Sequence, residues 1–375
     1  MLDLGEGPVF CNVQWPSRAQ AIAAAKAPIR LAACASCGHV FNEAFDPDIV
    51  AYAPGYENSQ HSSTVFSRYA ERLVERLATA YGLSGCAIVD IGCGRGELLE
   101  ALARRVGGRG YGFDPSYSGG DASADAAVHV VREEFDPERA RQIRPALICC
   151  RHVLEHLHAP GDFLDGVREA MAASGDPVLY LEVPNGTHLL RNAMVWDVLY
   201  EHVSYFTARS LRLALRSSGF RIHALYEAFG GQFLCVEAAV GAPARARSGR
   251  RARASDPSPA DAAGPMTERI ERWKRWSSGE RRSGRTAAIW GAGTKGVMFL
   301  NLLGLNSDRP IPRALDQNPA KDGLFIPCTG QQISLPSVDA LAGLSSVILM
   351  NSIYSGEVEA RLAGMNVAVE LLAAD

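Results

Sequence analysis

The sequence predicts an α/β protein in which two units of mostly parallel, doubly wound sheet follow a small leading module. Two observations carry this prediction. Apolar segments at residues 87–91 (AIVDI) and 287–290 (AAIW) each run into a glycine-rich turn and then into a helical pattern. Between residues 87 and 183, further apolar segments alternate with helical ones. Such alternation builds a parallel sheet through right-handed crossovers, with ligand sites at the carboxyl ends of the strands.

Composition narrows the function classes. At 375 residues the chain can hold two or three domains, and its 47% hydrophobic content is typical of a globular protein. A net charge of −3 gives no electrostatic reason to expect nucleic acid or a membrane surface as the partner. The sequence shows neither an apolar run of about 18 residues nor a secretory signal, and its nine cysteines are scattered. We therefore expect reduced thiols and a cytoplasmic location.

Residues 1–65 are predicted to form an irregular leading module. Within it, Cys34 and Cys37 belong to a Cys-x-x-Cys-Gly sequence, which is typical of one half of a structural zinc site. A second such pair is absent from this sequence. Either zinc is bound with help from other side chains, or the two cysteines are simply small residues in a turn. The other nearby candidates for metal ligands are Cys11, His39 and His61.

The leading module ends in a polar loop. Residues 56–64, which begin at Tyr56, interleave hydroxyl and aromatic side chains. The loop comes just before a predicted helix over residues 65–77, a position that suits a lid or substrate loop, although a solvated surface loop would have the same composition.

The core domain is expected over residues 66–240, and its first glycine turn is the predicted cofactor site. Glycine lets a ligand approach the backbone closely, and Asp90 at the preceding strand end can accept hydrogen bonds from a ligand ammonium or hydroxyl. Asp114 and Pro115 end the second strand, where an acidic residue holds ribose hydroxyls in nucleotide-binding α/β domains. Capping of the next helix is the alternative role for Asp114. The glycines of the turn are Gly92, Gly94 and Gly96.

Polar residues at several strand ends are expected to converge on one cleft. They are Asp90, Asp114, His152, His156, Glu182 and Asn185. His152 is either a cofactor contact or a strand-end histidine whose hydrogen bonds are satisfied. A further cluster, residues 196–207, contains Glu201 and His202 and ends at Thr207, a predicted N-cap for a helix over 208–217. A buried structural cluster would have the same composition.

Residues 241–265 are predicted to be a flexible linker, and residues 266–375 a second, smaller α/β domain. The linker is rich in Ala, Arg, Ser, Pro and Gly and poor in large apolar residues. The second domain begins with a helical pattern over residues 266–276. Its glycine turn, GAGTKG, contains Gly293 and Lys295 and fits the G-x-G-x-x-G pattern. By pattern alone this would be a dinucleotide site.

These motifs resemble the nucleotide-sugar C-methyltransferase family, which methylates 4-keto-deoxysugars. The first glycine turn is similar to motif I of class I S-adenosylmethionine-dependent methyltransferases, and the sequence EHVSYF at residues 201–206 is also typical of the family. The most specific match is GAGTKG followed by DQNPAKDG at residues 316–323. The resemblance implies a zinc-binding leading module, a Rossmann-like class I methyltransferase core and a Rossmann-like C-terminal domain. The chain departs from the family at Leu199 and Tyr200, where members often read Tyr-His.

The resemblance implies C-methylation through an enolate. His202 would remove the proton next to the sugar carbonyl, with Glu201 either orienting it or contacting the sugar, while His156 or Tyr56 stabilises the oxygen that becomes anionic. S-adenosylmethionine would lie against Asp90, Gly92, Gly94, Gly96, Asp114, Pro115 and His152. A nucleotide sugar would lie against Asn185, Gly293 and Lys295. Structural zinc at Cys34 and Cys37 is implied as well.

Three other functions fit parts of the sequence. An O- or N-methyltransferase acting on a sugar or small metabolite would use the same base and cofactor. An NAD-dependent oxidoreductase would use the second glycine turn, and a non-catalytic ligand-binding protein would keep the fold alone. Binding of S-adenosylmethionine or of NAD separates the methyltransferase from the dehydrogenase. None of these patterns indicates the oligomeric state.

Overall fold

The computed structural model describes the chain except for residues 53–54, 121–126, 173–174, 176, 242–256 and 309. The leading module is an antiparallel sheet, so the prediction that residues 1–65 are irregular was wrong. Its elements are β1 (Leu2–Pro8), α1 (Arg18–Ile22), β2 (Lys26–Ala33) and β3 (Val40–Asn42), with the strands in the order β1-β2-β3. Alternate residues of β2, namely Ala27, Ile29 and Leu31, are buried. That period of two is the signal the prediction missed.

The central domain is built on a seven-stranded sheet, and the predicted parallel sheet is confirmed. Its elements are α2 (Thr64–Ala80), β4 (Ala87–Ile91), α3 (Glu97–Val106), β5 (Arg109–Phe113), β6 (Val128–Val131), α4 (Pro137–Ile143), β7 (Leu147–Arg151), α5 (Pro160–Ala172), β8 (Val178–Pro184), α6 (Gly186–Arg191), β9 (Ser204–Tyr205), α7 (Ala208–Ser217), β10 (Phe220–Ala228) and β11 (Phe233–Val240). The strand order is β10-β11-β8-β7-β4-β5-β6, parallel except where the hairpin β10–β11 joins β8. The short strand β9 pairs instead with β3 and completes the leading sheet.

The helix α7 begins where the sequence predicts, because Thr207 forms a capping box. The Thr207 hydroxyl accepts a hydrogen bond from the Ser210 N–H at 3.2 Å, and the Ser210 hydroxyl oxygen accepts one from the Thr207 N–H at 2.9 Å. These bonds satisfy backbone donors that the first helical turn leaves unpaired.

The C-terminal domain begins earlier than predicted. A capping box at Ser258 starts the helix α8 at Pro259, so the last part of the predicted linker 241–265 is helical, while residues 242–256 of that linker lie outside the described chain. The domain contains α8 (Pro259–Ser283), β12 (Ala287–Trp290), α9 (Thr294–Leu302), β13 (Arg313–Leu315), β14 (Gln332–Ser334), α10 (Val338–Leu341), β15 (Ser346–Leu349), α11 (Ser355–Gly364) and β16 (Glu370–Ala373). Its five strands are all parallel, in the order β14-β13-β12-β15-β16.

A single hydrophobic core joins the leading sheet to the C-terminal domain. It includes Leu31 of β2, Trp196 from the segment before β9, and Phe299 of α9. The Trp196 ring is 1% exposed, packs edge-on at 4.9 Å from the Phe299 ring, and its indole N–H donates to the Ala374 carbonyl at 3.1 Å. Because the leading sheet and the C-terminal domain share this core, the cleft that they form with the central domain is bounded by closely packed side chains. Among the described helices, none has the length and apolar character needed to cross a membrane.

Candidate active site

A cleft of about 330 Å³ lies where the leading loop, the central domain and the C-terminal domain meet. Four groups of residues on its wall concern the chemistry. They are Asn12 and Tyr56 of the leading module, His152, Glu155, His156 and Asn185 at strand ends of the central sheet, Asp197 and His202 before β9, and Gly293, Lys295, Asp316 and Lys321 of the C-terminal domain. The cleft therefore brings most of the sequence-predicted site residues together, although they lie far apart in the chain.

The first glycine turn fits the expected cofactor. Asp90 lies within β4, is 3% exposed, and accepts no hydrogen bond within the described part of the chain. Burial raises the pKa of Asp90 to about 7. A buried carboxylate without a donor needs a cationic or hydroxyl group from a ligand, as the amino end of S-adenosylmethionine would provide.

The other predicted cofactor residues hold the turn itself. One oxygen of Asp114 accepts the Gly94 N–H at 2.7 Å, and the other accepts the Ser116 N–H at 2.7 Å. Gly92, Gly94 and Gly96 all have positive φ angles, and a Cβ on Gly92 would clash with Val153. Asp114 therefore fixes the loop between two strand ends, and it follows β5 directly with Pro115 next to it.

His152 is held between two carboxylates. Its Nε2 lies 3.0 Å from Glu182 Oε1, and its Nδ1 lies 3.4 Å from Glu155 Oε1. Although burial lowers it, these two carboxylates raise the pKa of His152 to about 9. Glu182 also accepts a hydrogen bond from Arg151 Nε at 3.0 Å. His152 thus behaves as a satisfied strand-end cation, the second of its two predicted interpretations, and it also lines the cleft.

Glu201 and His156 belong to a hydrogen-bonded group that reaches into the leading module. Glu201 is 1% exposed and accepts the Cys11 N–H at 3.0 Å, the Tyr56 hydroxyl at 2.7 Å and the Tyr52 hydroxyl at 3.4 Å. Burial, and then the charge of Glu201, raise the pKa of both tyrosines, so their hydroxyls are neutral donors. His156 Nδ1 lies 3.1 Å from the Glu201 carbonyl and 2.7 Å from the Tyr52 hydroxyl.

His202 is the one predicted catalytic residue without a hydrogen-bond partner among the described residues. Its ring lies 4.8 Å from the His156 ring at an angle of 82°. Burial, and then the neighbouring His156 and His152 rings, lower the pKa of His202 well below its ordinary value. Its imidazole is therefore neutral near pH 7, with a lone pair available to take a proton.

The predicted substrate residues differ in how far their polar groups are already bound within the protein. The Asn185 side chain accepts the N–H groups of Thr187 and His188 and donates to the Gly231 carbonyl, so it caps α6 and tethers a loop. Gly293 and Lys295 line the cleft, where the Lys295 ammonium pairs with Asp197.

Cys34 and Cys37 lie in the turn between β2 and β3, and both thiols are free. They join no third histidine, cysteine or carboxylate ligand in the described parts of the chain. The sequence-predicted candidates lie in other contacts: His39 Nε2 is 3.1 Å from Ser204 Oγ, His61 is 3.7 Å from Glu97, and the Cys11 N–H binds Glu201.

Sequence reasoning assigned no role to Tyr52, Asn12 or Glu155, all of which lie at the site. Asn12 Nδ2 donates to the Tyr56 hydroxyl at 3.2 Å, and Tyr52 bridges His156 and Glu201. The available signal was weak. Tyr52 lies four residues before Tyr56, but in a loop, where that spacing does not place two side chains on one face. Glu155 is adjacent to His156, and the motif that contains both indicated a role only for the histidine.

Comparison with known proteins gives two domain matches. Residues 61–225 match the family model of a methyltransferase domain, and residues 272–358 match that of a C-methyltransferase C-terminal domain. The C-methyltransferase NovU of Streptomyces niveus is 26% identical over 334 residues, which cover 84% of this chain and 78% of that relative.

Solved structures with a similar fold include two methyltransferases. One, from Aquifex aeolicus, is described as S-adenosylmethionine-dependent; it is 19% identical and matches 48% of this chain and 98% of its own, with a TM-score of 0.34. The 1,6-didemethyltoxoflavin-N1-methyltransferase of Burkholderia thailandensis is 16% identical over 56% of this chain and 98% of its own, with a TM-score of 0.36. Likeness at this level adds nothing to the two domain matches.

Proposed function

We propose that this chain, which is an S-adenosylmethionine-dependent C-methyltransferase, methylates the carbon next to the carbonyl group of a nucleotide-linked keto-deoxysugar. The observation that carries the proposal is His202, a neutral histidine without a hydrogen-bond partner among the described residues, which lines the same cleft as Lys295 and Lys321. When bound, S-adenosylmethionine supplies an electrophilic methyl group on a positively charged sulfur. The chain itself must supply a base, an oxyanion donor and a grip on the sugar nucleotide.

His202 is the proposed base. A hydrogen on the carbon next to a carbonyl is acidic enough for a neutral imidazole to remove, and the electron pair moves onto the carbonyl oxygen as the enolate forms. His156 is the proposed donor to that oxygen. Its Nδ1 faces the Glu201 carbonyl at 3.1 Å, which leaves Nε2 as the ring atom available to the substrate oxygen. Glu201 and Tyr56 act as positioning residues, because each is already bound to the other at 2.7 Å.

The C-terminal domain is the proposed site for the nucleotide and its phosphates. Lys295 and Lys321 line the cleft beside the glycine turn, at the start of α9, where backbone N–H groups and a helix terminus favour anions. The Asp316 carboxylate fixes this second turn as Asp114 fixes the first. It accepts the Ala292 N–H at 2.8 Å and the Asn318 N–H at 2.9 Å, and the Lys321 ammonium lies 3.8 Å from it.

The cellular location and the structural zinc site are the two parts of the proposal that rest on composition and motif. A cytoplasmic location agrees with nine free cysteines, all within the described residues. Structural zinc at Cys34 and Cys37 is proposed only together with ligands from another segment or another chain, and metal analysis of the purified protein tests it.

A product assay tests the function directly. Incubation with S-adenosylmethionine and nucleotide-linked 4-keto sugars is expected to give a product heavier by one methyl group, and carbon–proton correlation NMR is expected to show a new carbon–carbon bond next to the carbonyl. A methyl group found on oxygen or nitrogen would instead support the O- or N-methyltransferase. Binding of NAD without binding of S-adenosylmethionine would contradict both.

Replacing Lys295 with alanine is expected to raise KM for the nucleotide-linked substrate about tenfold, while KM for S-adenosylmethionine stays the same. A charge-assisted hydrogen bond to phosphate contributes about 1.5–3 kcal/mol to binding. The ion pair with Asp197 competes for the same ammonium and lowers the net contribution. Steady-state kinetics measures both constants. Lys274→Ala, which removes an exposed lysine of α8, is the matched control. Equal losses for a free sugar and its nucleotide-linked form would contradict the assignment.

A further inference from the structure

Glu155, His156 and His202 bring three potential metal ligands together on the wall of the cleft. One ligand atom from each lies within 4.8 Å of the other two. Glu155 is 1% exposed, and neither of its carboxylate oxygens accepts a hydrogen bond in the described chain; the nearest cation, His152 Nδ1, lies at an ion-pair distance of 3.4 Å. The neighbouring His152 cation offsets the buried charge of Glu155 without a hydrogen bond, so the carboxylate lone pairs at the cavity wall remain available to a metal ion.

The surroundings of His156 resemble those of a metal-bound histidine. A carbonyl oxygen can only accept, so the 3.1 Å contact of His156 Nδ1 with the Glu201 carbonyl is a hydrogen bond in the tautomer that carries its proton on Nδ1. The Tyr52 hydroxyl and the Glu201 carboxylate support the same nitrogen at 2.7 and 3.8 Å. Outer contacts of this kind fix the ring and leave Nε2 free for a metal ion. Neither nitrogen of His202 is bound to another described residue.

We propose that Glu155, His156 and His202 bind one divalent transition-metal ion of the Zn²⁺ class, and that the bound ion inhibits methylation. Two imidazoles and one carboxylate are the ligand set of zinc sites that keep an open position, whereas Mg²⁺ and Ca²⁺ prefer oxygen ligands. The metal ion takes the lone pair of one ring nitrogen of each histidine, so a proton on that ligating nitrogen is released to solvent, while the other ring nitrogen keeps its proton. His202 then has no lone pair with which to remove the substrate proton. The inhibition rests on the proposed function, but the metal binding does not.

Cobalt titration tests the binding without using activity. The full chain carrying C34S and C37S, which removes the other candidate site, is titrated with Co²⁺. We expect visible absorption of a four- or five-coordinate ion that saturates at one ion per chain, without the near-ultraviolet band of a thiolate ligand. E155Q is expected to weaken the binding at least tenfold, with circular dichroism to check folding. H202N provides a second loss variant. H188N, at a histidine that lines the cleft outside the cluster, is the control that keeps the spectrum.

Zinc then tests the inhibition. Added Zn²⁺ is expected to slow exchange of the substrate α-proton with deuterated water at least tenfold, and a chelator is expected to restore it. Absence of a saturable cobalt spectrum, or a spectrum unchanged in both E155Q and H202N, would overturn the metal site. Faster exchange with Zn²⁺ would overturn its inhibitory role. If the metal-free protein exchanges no keto-sugar proton at all, the proposed function fails, and the cobalt spectrum still decides the site.

Discussion

Replacing His202 with alanine is expected to lower both C-methylation and exchange of the substrate α-proton by about 10²–10⁴-fold, the usual contribution of a positioned general base. The reason is specific to this ring. Its pKa lies well below the ordinary value, so it is neutral near pH 7, and none of the described residues competes for its nitrogens. Exchange measured by NMR in deuterated water isolates this step, because it requires proton removal without methyl transfer.

Three further results would test the assignment of His202 as the base. In the unaltered protein, exchange should persist as the pH falls to about 6, because a base with a lowered pKa stays unprotonated there. His188→Ala, at another histidine of the cleft wall, should keep most of the exchange. S-adenosylhomocysteine should bind His202→Ala as tightly as the unaltered chain. Undiminished exchange in His202→Ala would show that another group is the base.

Those parts of the fold that depend on local pattern could be predicted, and those that depend on distant pairing could not. The helix α7 and the strand β12 lie where the sequence predicts them, at residues 208–217 and 287–290, because apolar periodicity, caps and flanking turns are local signals. The half of the leading sheet beyond β2 has no such signal, because β3 has three residues and pairs with a two-residue strand, β9, that lies in the central domain's sequence. Neither segment is long enough to show a period of two.

In the site, too, local motifs could predict which residues take part but not which groups they contact. Motifs identified Asp90, His156 and His202, because strand ends of a parallel sheet meet at one edge. Motifs could not give the partners of each side chain. Glu201 was expected to orient its neighbour His202, but its carboxylate is engaged with the Cys11 N–H and the hydroxyls of the leading loop. Contacts between residues so far apart in sequence arise from packing, which no local spacing records.

Asp90 links the stability of the protein to cofactor binding. Its carboxyl has a pKa of about 7 when folded, against 3.8 when unfolded. The sign follows from proton binding: between these two values the folded state holds the proton and the unfolded state does not. The contribution of Asp90 to the free energy of unfolding of the unliganded protein therefore falls as the pH rises from about 4 to about 7, by up to about 4 kcal/mol, and then levels off.

Asp90→Asn is therefore expected to stabilise the unliganded protein and to weaken cofactor binding. At pH 8 the substitution removes a buried charge that lacks a donor, so the thermal midpoint should rise, whereas at pH 4 the difference should be small. Affinity for S-adenosylhomocysteine should fall about 10- to 100-fold, because a charge-assisted hydrogen bond contributes about 1.5–3 kcal/mol. Calorimetric titration and thermal unfolding measure the two effects on the same sample.

The pH dependence of binding separates this account from a general loss of structure. In the unaltered chain, affinity for S-adenosylhomocysteine should increase as the pH rises through about 7, because only the ionised carboxylate holds a cationic ligand group strongly. In Asp90→Asn that increase should disappear. Asp165→Asn, which changes an exposed carboxylate of α5, should keep both the affinity and its pH dependence. A variant at Asp90 that is less stable at pH 8 and keeps the pH dependence would contradict the assignment, because the buried carboxylate would then have a partner other than the cofactor.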